Sequence, residues 1–313
     1  NTTDALNLLA RAIPAGTTVI GWAGEHHANL LPWHRTVRLP VPADDLEAVR
    51  ALDAALASLD GPALVAVTGA SNVTGEVWPI AELTSIAHAY GARIVVDAAQ
   101  LAPHCAVSLA ASGIDYLALS GHKLYAPFGA GVLAGRGDWL DAAEPYLAGG
   151  GATAHVDDDG VCWQTGPARH EAGTPNLLGA VALAAACAEI ARYDRDALAV
   201  REHALLSRLR NGLADLSGIA ELRSFDGDHD RVGIVSFAIA GVPAAAVSAH
   251  LATTAGIGVR DGLFCAHPLT RRLLADASAR TGLTLGDTAV RASIGLGTTV
   301  EHIDRLLSAL RTL

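Results

Sequence analysis

Methionine is absent from all 313 residues, lysine occurs once, and aromatic side chains make up only 4% of the chain. The missing methionine includes position 1, and the chain opens on Asn1-Thr2-Thr3-Asp4, a helix-start sequence. Together these predict that a further stretch precedes Asn1. Long apolar runs are also lacking. The longest, such as Leu177 to Ala188, fall short of the roughly 20 residues that span a bilayer, so the mean hydropathy of +0.32 is read as an alanine- and valine-rich core rather than a membrane segment. Positive charge is scarce: 22 basic against 32 acidic residues leave a net charge of −10, which repels a polyanion and argues against nucleic acid as a partner. The four cysteines, Cys105, Cys162, Cys187 and Cys265, form no C-x-x-C pair, and no basic, apolar leader opens the chain. This argues against a metal site and points to a reducing, cytoplasmic setting. What is present is 51% hydrophobic and 17% charged residues, the composition of a globular protein with a sizeable core.

The basic residues are uneven in kind. All but Lys123 are arginine, and arginine cannot replace lysine where a deprotonated amine must attack a carbonyl. The other reading of Lys123, chance survival at the surface, is weighed by its neighbours.

Short β-branched runs alternate with helix-length amphipathic segments up to about residue 190, the rhythm of an α/β fold with a mostly parallel sheet between helices. Strands are predicted at Thr18 to Trp22, Ala63 to Thr68, Arg93 to Asp97, Tyr116 to Leu119 and Gly131 to Ala134. A helix is predicted over Pro79 to Tyr90, with Pro79 at its front and Gly91 just past its end, the usual punctuation. Alanine-rich helices follow at Leu177 to Tyr193 and Ala197 to Leu216. Strands at Val232 to Ala238 and Ile257 to Val259, and helices at Ala244 to Thr254 and Val300 to Leu310, complete a smaller α+β part. The predicted division is a large domain over 1–190 and a small one over 191–313. Gly149 to Gly151 and Asp157 to Asp159 read as a mobile surface loop.

Lys123 closes Ser120-Gly121-His122-Lys123 directly after a predicted strand, and Asp97 ends the strand before it. Ligands of open parallel sheets sit beyond the carboxyl ends of strands. A carboxylate at one strand end and a lysine at the next suit pyridoxal 5′-phosphate: the amine forms a Schiff base and the acid keeps the pyridine nitrogen protonated. Taken alone, Asp97 would read as a helix cap. Hydroxyls and N–H groups at the start of the helix after Asn1-Thr2-Thr3-Asp4 offer a phosphate site, with Ser120 and His122 as further donors, although the same residues serve as a cap. His26, in Glu25-His26-His27, suits stacking on a pyridine ring and proton transfer; the adjacent pair lacks a third ligand for metal, and a plain surface histidine is the alternative. No G-x-G-x-x-G joins a strand to a helix, which speaks against a dinucleotide.

Ser120-Gly121-His122-Lys123, Val96-Asp97-Ala98-Ala99-Gln100, Glu25-His26-His27-Ala28-Asn29, Ser71-Asn72-Val73-Thr74-Gly75 and Glu171-Ala172-Gly173-Thr174-Pro175-Asn176 resemble, in order, the motifs of the class V aminotransferase family, closest to Suf-type cysteine desulfurases and selenocysteine lyases. The resemblance implies a fold-type I architecture with a mostly parallel seven-stranded sheet and a homodimer with shared active sites. It implies that Lys123 bonds the cofactor, Asp97 its ring nitrogen and Gln100 its phenolic oxygen, that His26 stacks on the ring, and that Thr3, Ser120 and His122 hold phosphate. Asn72 would lie near the ring and the substrate carboxylate, Thr174 would reach the other subunit's cofactor, and Arg291 would grip the carboxylate of a small amino-acid substrate. A segment before Asn1 would supply part of the substrate pocket and of the dimer contact.

The family's sulfur-accepting loop reads Arg-Thr-Gly-His-His-Cys; the corresponding stretch here is Arg260-Asp261-Gly262-Leu263-Phe264-Cys265. Arg260 is then a substrate-side residue and Cys265 the nucleophile that takes sulfur from L-cysteine, releasing alanine and passing sulfur to an acceptor protein. With both histidines replaced, the loop is less electropositive than a reactive thiolate prefers, and Cys265 as a packed small residue stays open. The alternatives are another class V enzyme, such as a carbon–sulfur lyase, selenocysteine lyase, epimerase or aminotransferase, with Cys265 a bystander, and an inactive scaffold subunit of the same fold.

Overall fold

The computed structural model describes residues 1–227 and 229–313. The first part runs α1 (Thr2–Ala12), β1 (Thr18–Trp22), α2 (His27–Leu30), β2 (Thr36–Leu39), α3 (Asp45–Ala57), β3 (Ala63–Thr68), α4 (Ile80–Ala89), β4 (Arg93–Asp97), α5 (Leu109–Ser112), β5 (Tyr116–Ser120), β6 (Gly131–Gly135) and α6 (Asp138–Ala142). Its sheet has the order β2-β1-β3-β4-β5-β6, parallel throughout except for β6, which runs against β5. The period of two sorts each central strand onto two cores. Ile20, Val65, Val67, Ile94, Val96 and Leu117 face one apolar cluster with α3 and α4, while Val19, Leu64, Ala66, Val95, Tyr116 and Ala118 face α1. By the same parity Asp97 and Ser120, at the carboxyl ends of β4 and β5, fall on the α1 face.

The predicted strands and the helix behind Pro79 are present, and Gly91 turns the chain beyond α4 in a left-handed conformation (φ 67°). The seventh strand is not: among the described residues the main sheet has six. The stretch after β6 goes instead into a separate antiparallel hairpin, β7 (Thr153–Asp157) and β8 (Gly160–Trp163). Gly149 to Gly151 lie outside any helix or strand, but the acidic run read with them as a loop is the end of β7 and the hairpin's turn. Asp157 Oδ1 accepts from the N–H groups of Asp159 and Gly160 at 3.1 and 3.0 Å, an aspartate-stabilised turn.

The chain then passes through α7 (Leu177–Ile190), whose Leu183 and Ile190 pack with Leu124, Ala126 and Ala130 of the first part. The second part comprises α8 (Arg195–Ala214), β9 (Ile219–Glu221), β10 (Ile234–Ile239), α9 (Ala244–Ala255), β11 (Arg260–Gly262), α10 (His267–Thr281), β12 (Ala289–Ser293) and α11 (Val300–Leu310). Strands β11-β12-β10-β9 form an antiparallel sheet covered by α8, α9 and α11. The strand expected at Ile257 to Val259 starts three residues later. Gly256 ends α9 in a left-handed turn, Ile257 and Val259 pack against the core as a link, and pairing begins only where Arg260 meets Arg291. No helix among the described residues is long and apolar enough to cross a membrane.

The two parts are joined by buried charge. Glu76 accepts from the Ser224 and Phe225 N–H groups and from Arg231 Nη2 at 2.8 Å, and both side chains of the ion pair are essentially inaccessible.

Candidate active site

β5 ends in a single 3₁₀ turn, Gly121–Lys123, which swings Lys123 over the carboxyl edge of the sheet. There it lines a cavity of about 400 Å³ together with Asp97, His26, Asn72, Gln100 and Ser120. Thr3 and His122 line the same cavity. Eight residues chosen from five separated sequence motifs thus converge on one space, of a size suited to a small-molecule ligand.

The local geometry explains how each is held. Asn1 caps α1 by accepting from the Asp4 N–H at 3.1 Å, so the helix starts at Thr2, earlier than predicted. The Thr2 N–H donates to Ser120 Oγ at 2.8 Å, and the two hydroxyls lie 2.7 Å apart. Thr2, rather than Thr3, is therefore the residue that fastens the helix start to the end of β5. Its only sequence signal was the capping motif it shares with Thr3. Asp97 is buried, with Oδ1 accepting from the Ala99 N–H at 2.9 Å. His26 Nδ1 accepts from the Ala28 N–H at 3.0 Å and caps α2, which fixes its ring and tautomer.

Burial dominates the electrostatics. It pushes the Lys123 ammonium below the usual lysine range against the opposing pull of Asp97, and raises Asp97 against the pull of Lys123. His26 is pushed down to about 4 by burial, then by Lys123, His27 and Arg291, so its imidazole is neutral near pH 7. Glu25, fully buried beneath the site, is pushed up to about 8 by burial, despite accepting from Asn29 Nδ2 and the Thr68 N–H. In the sequence Glu25 carries no signal beyond its place in Glu25-His26-His27-Ala28-Asn29.

Of the other predicted residues, Arg291 and Cys265 stand within electrostatic reach of Lys123. Asn72 lines the cavity, but its Nδ2 donates to the Phe264 carbonyl at 2.7 Å. Arg291, on β12, donates from Nη1 to the Asn72 carbonyl at 2.9 Å; burial, then the charge of Arg260 across the β11–β12 pair, lowers its pKa to about 10. Arg260 and Cys265 are exposed and lie outside the lysine cavity lining. Thr174 is exposed on the loop before α7 and is also outside it. All four cysteines are free thiols. Tyr125, unremarked in the sequence, is left-handed (φ 63°) two residues after Lys123, and its hydroxyl accepts from the Leu296 N–H at 3.0 Å. It ties the lysine turn to the loop before α11.

These residues fit pyridoxal phosphate: a part-buried amine with a depressed pKa, a buried acid on the same cavity, a neutral imidazole, and hydroxyls at the start of an 11-residue helix. The profile of the aminotransferase class-V family matches residues 1–306. A cysteine desulfurase of Synechococcus elongatus is 36% identical over 99% of this chain, which spans about half (49%) of that relative. A cysteine desulfurase of Klebsiella pneumoniae is 34% identical over 99% of the chain and 75% of its own length. Among solved structures, the cysteine desulfurase CsdA of Escherichia coli superposes with a TM-score of 0.85 at 32% identity, covering 99% of this chain and 76% of that one. The apo cysteine desulfurase of Thermococcus onnurineus gives 0.85 and 32%, covering 100% and 77%.

Proposed function

Because the chain belongs to the aminotransferase class-V family, we propose that it is a pyridoxal-phosphate enzyme that takes sulfur from L-cysteine and releases alanine. The observation that carries this reading is the meeting of the Lys123 amine and the buried Asp97 carboxyl on one cavity at the ends of β5 and β4. When bound, the cofactor supplies an aldehyde for amines and a ring that accepts the electron pair left at the substrate α-carbon.

The chain's own residues do the rest. Lys123 would bond the cofactor and, with its amine desolvated, remove and return the α-proton. Asp97 would hold the ring-nitrogen proton, Gln100 would meet the phenolic oxygen, and neutral His26 would cover the ring face. Ser120, Thr3 and His122 would bind phosphate at the start of α1. Arg291 would take the substrate carboxylate beside Asn72, with Arg260 adding positive charge. Cys265 would attack the substrate sulfur as a thiolate: an S–S bond forms as the C–S bond breaks, the bonding pair stays with the substrate β-carbon, which takes up a proton on the way to alanine, and a persulfide is left on the protein for an acceptor protein.

A homodimer with shared active sites is part of the proposal, supported by an apolar face that this chain leaves uncovered. Leu177 and Leu178 on α7 are 67% and 82% exposed, and Phe128, on the cavity rim, is 86% exposed. Thr174 leads into that same helix. Light scattering should return the mass of two chains. The division near residue 190, where α7 ends, and a cytoplasmic setting that keeps Cys265 reduced complete the proposal.

Incubation with pyridoxal phosphate should give a coloured protein that converts L-cysteine to alanine and carries sulfur on Cys265. A colourless protein sinks the reading. One observation favours a second route, a β-eliminating lyase: Leu263 and Phe264 stand beside Cys265 where the family's sulfur-accepting loop has two histidines. That route would yield pyruvate and ammonia in place of alanine.

A further inference from the structure

The turn carrying Cys265 is built from two consecutive left-handed residues, Phe264 (φ 53°) and Cys265 (φ 54°), a conformation that non-glycine residues adopt at a cost. It persists because it is clamped from several sides. Asn72 Nδ2 holds the Phe264 carbonyl at 2.7 Å, the His27 N–H holds the Cys265 carbonyl at 2.8 Å, and the Ala266 N–H closes back on Leu263 at 2.9 Å. The consequence is a split in direction: Phe264 is only 7% exposed while its neighbour Cys265 is exposed.

The inward ring has a charged partner. Arg291 Cζ lies 5.4 Å from the Phe264 ring centroid, within cation–π range. Arg291 in turn donates to the Asn72 carbonyl, which closes a ring of three residues: guanidinium to Asn72 main chain, Asn72 amide to Phe264 main chain, Phe264 face to guanidinium. Among the described residues no carboxylate pairs with Arg291, and its buried Nε has no hydrogen-bond partner.

We propose that Phe264 is a positioning residue that couples the guanidinium of Arg291 to the Cys265 turn, so that occupation of Arg291 by a substrate carboxylate is felt at the thiol. The proposal rests on the reading of Arg291 as the carboxylate site. An aromatic face can hold a guanidinium without neutralising it or competing for its N–H donors, which an acidic side chain at the same place would do.

The test uses the full chain with pyridoxal phosphate and compares Phe264→Leu, which keeps apolar bulk but loses the aromatic face, with Phe264→Tyr, which keeps the face. Alkylation of Cys265 by iodoacetamide is followed by peptide mass spectrometry with and without saturating L-alanine, alongside KM and kcat for L-cysteine. In the parent and in Phe264→Tyr, alanine should change the alkylation rate. In folded Phe264→Leu that dependence should vanish, and KM should rise about two- to thirtyfold, the span of a cation–π contact. Alkylation insensitive to alanine in the parent, a parental response in Phe264→Leu, or a Phe264→Tyr variant that behaves as Phe264→Leu overturns the coupling. Arg291→Gln separates the two layers. If it leaves the alanine response intact, the carboxylate reading itself fails; if it abolishes the response while Phe264→Leu does not, only the role of Phe264 falls.

Discussion

The main-chain N–H of His27 donates to the carbonyl of Cys265 at 2.8 Å, so the turn that exposes the thiol is fastened to the residue beside His26, which lines the lysine cavity. Residues 238 positions apart in sequence are thereby locked to one another through main chain. A side-chain substitution at Cys265 leaves that anchor in place.

Cys265→Ala should therefore fold, bind pyridoxal phosphate and show the parent's visible absorbance, yet form no persulfide. Mass spectrometry after exposure to L-cysteine checks this; sulfur release to alanine at the parental rate from the variant would remove Cys265 from the mechanism.

Lys123→Ala and Lys123→Arg should both fail to develop the visible band, because a guanidinium stays charged and cannot bond an aldehyde as a free amine does. Turnover of L-cysteine should fall by at least about a hundredfold, the lower end of what a positioned proton-transfer group contributes. Absorbance spectra and alanine production measure the two losses separately.

Glu25, held near 8 by burial against a value of 4.5 when exposed, keeps its proton in the folded protein at pH values where the unfolded chain has lost it. Folding then takes up a proton, and this group's contribution to stability is fully present below about 4.5 and declines as pH rises towards about 8. Glu25→Gln removes the slope. Urea unfolding of the cofactor-free protein at pH 5 and pH 8 should show the variant gaining on the parent with rising pH, by at most roughly 4 kcal/mol. His26, lowered to about 4, acts in the opposite sense: its contribution is complete above about 6.5 and is lost as pH falls to about 4.

Glu76→Ala should destabilise the protein by about 3–5 kcal/mol, the cost of leaving one member of a buried ion pair alone. Arg231, with 1% of its side chain exposed, would keep its charge without its carboxylate, and the Ser224 and Phe225 N–H groups would lose their acceptor. Denaturant titration gives the number. A change below 1 kcal/mol would mean that water or Glu221, 3.4 Å from Arg231 Nη1, takes over.

Much of the large sheet was legible in the sequence. β1, β3 and β4 match their predicted bounds because each is a β-branched run buried on both faces, a local signal. β2, with its Thr-Val-Arg-Leu alternation at a sheet edge, carries a weaker pattern and was not found. Nor was α10, although Pro268 in its first turn is a start signal. The cavity was legible for a topological reason: in a parallel sheet all carboxyl ends lie on one edge, so Asp97 and Lys123 had to meet there once both were placed at strand ends.

By itself, then, the sequence determined the alternation of strands and helices, the sole amine and the acid that faces it, since these follow from local periodicity and from residue identity. The direction of Phe264, the engagement of Asn72 with a carbonyl 192 residues away and the rise of Glu25 to about 8 were decided only by tertiary structure. Each depends on which distant groups exclude water from a given atom or supply its partner, and no spacing along the chain encodes that.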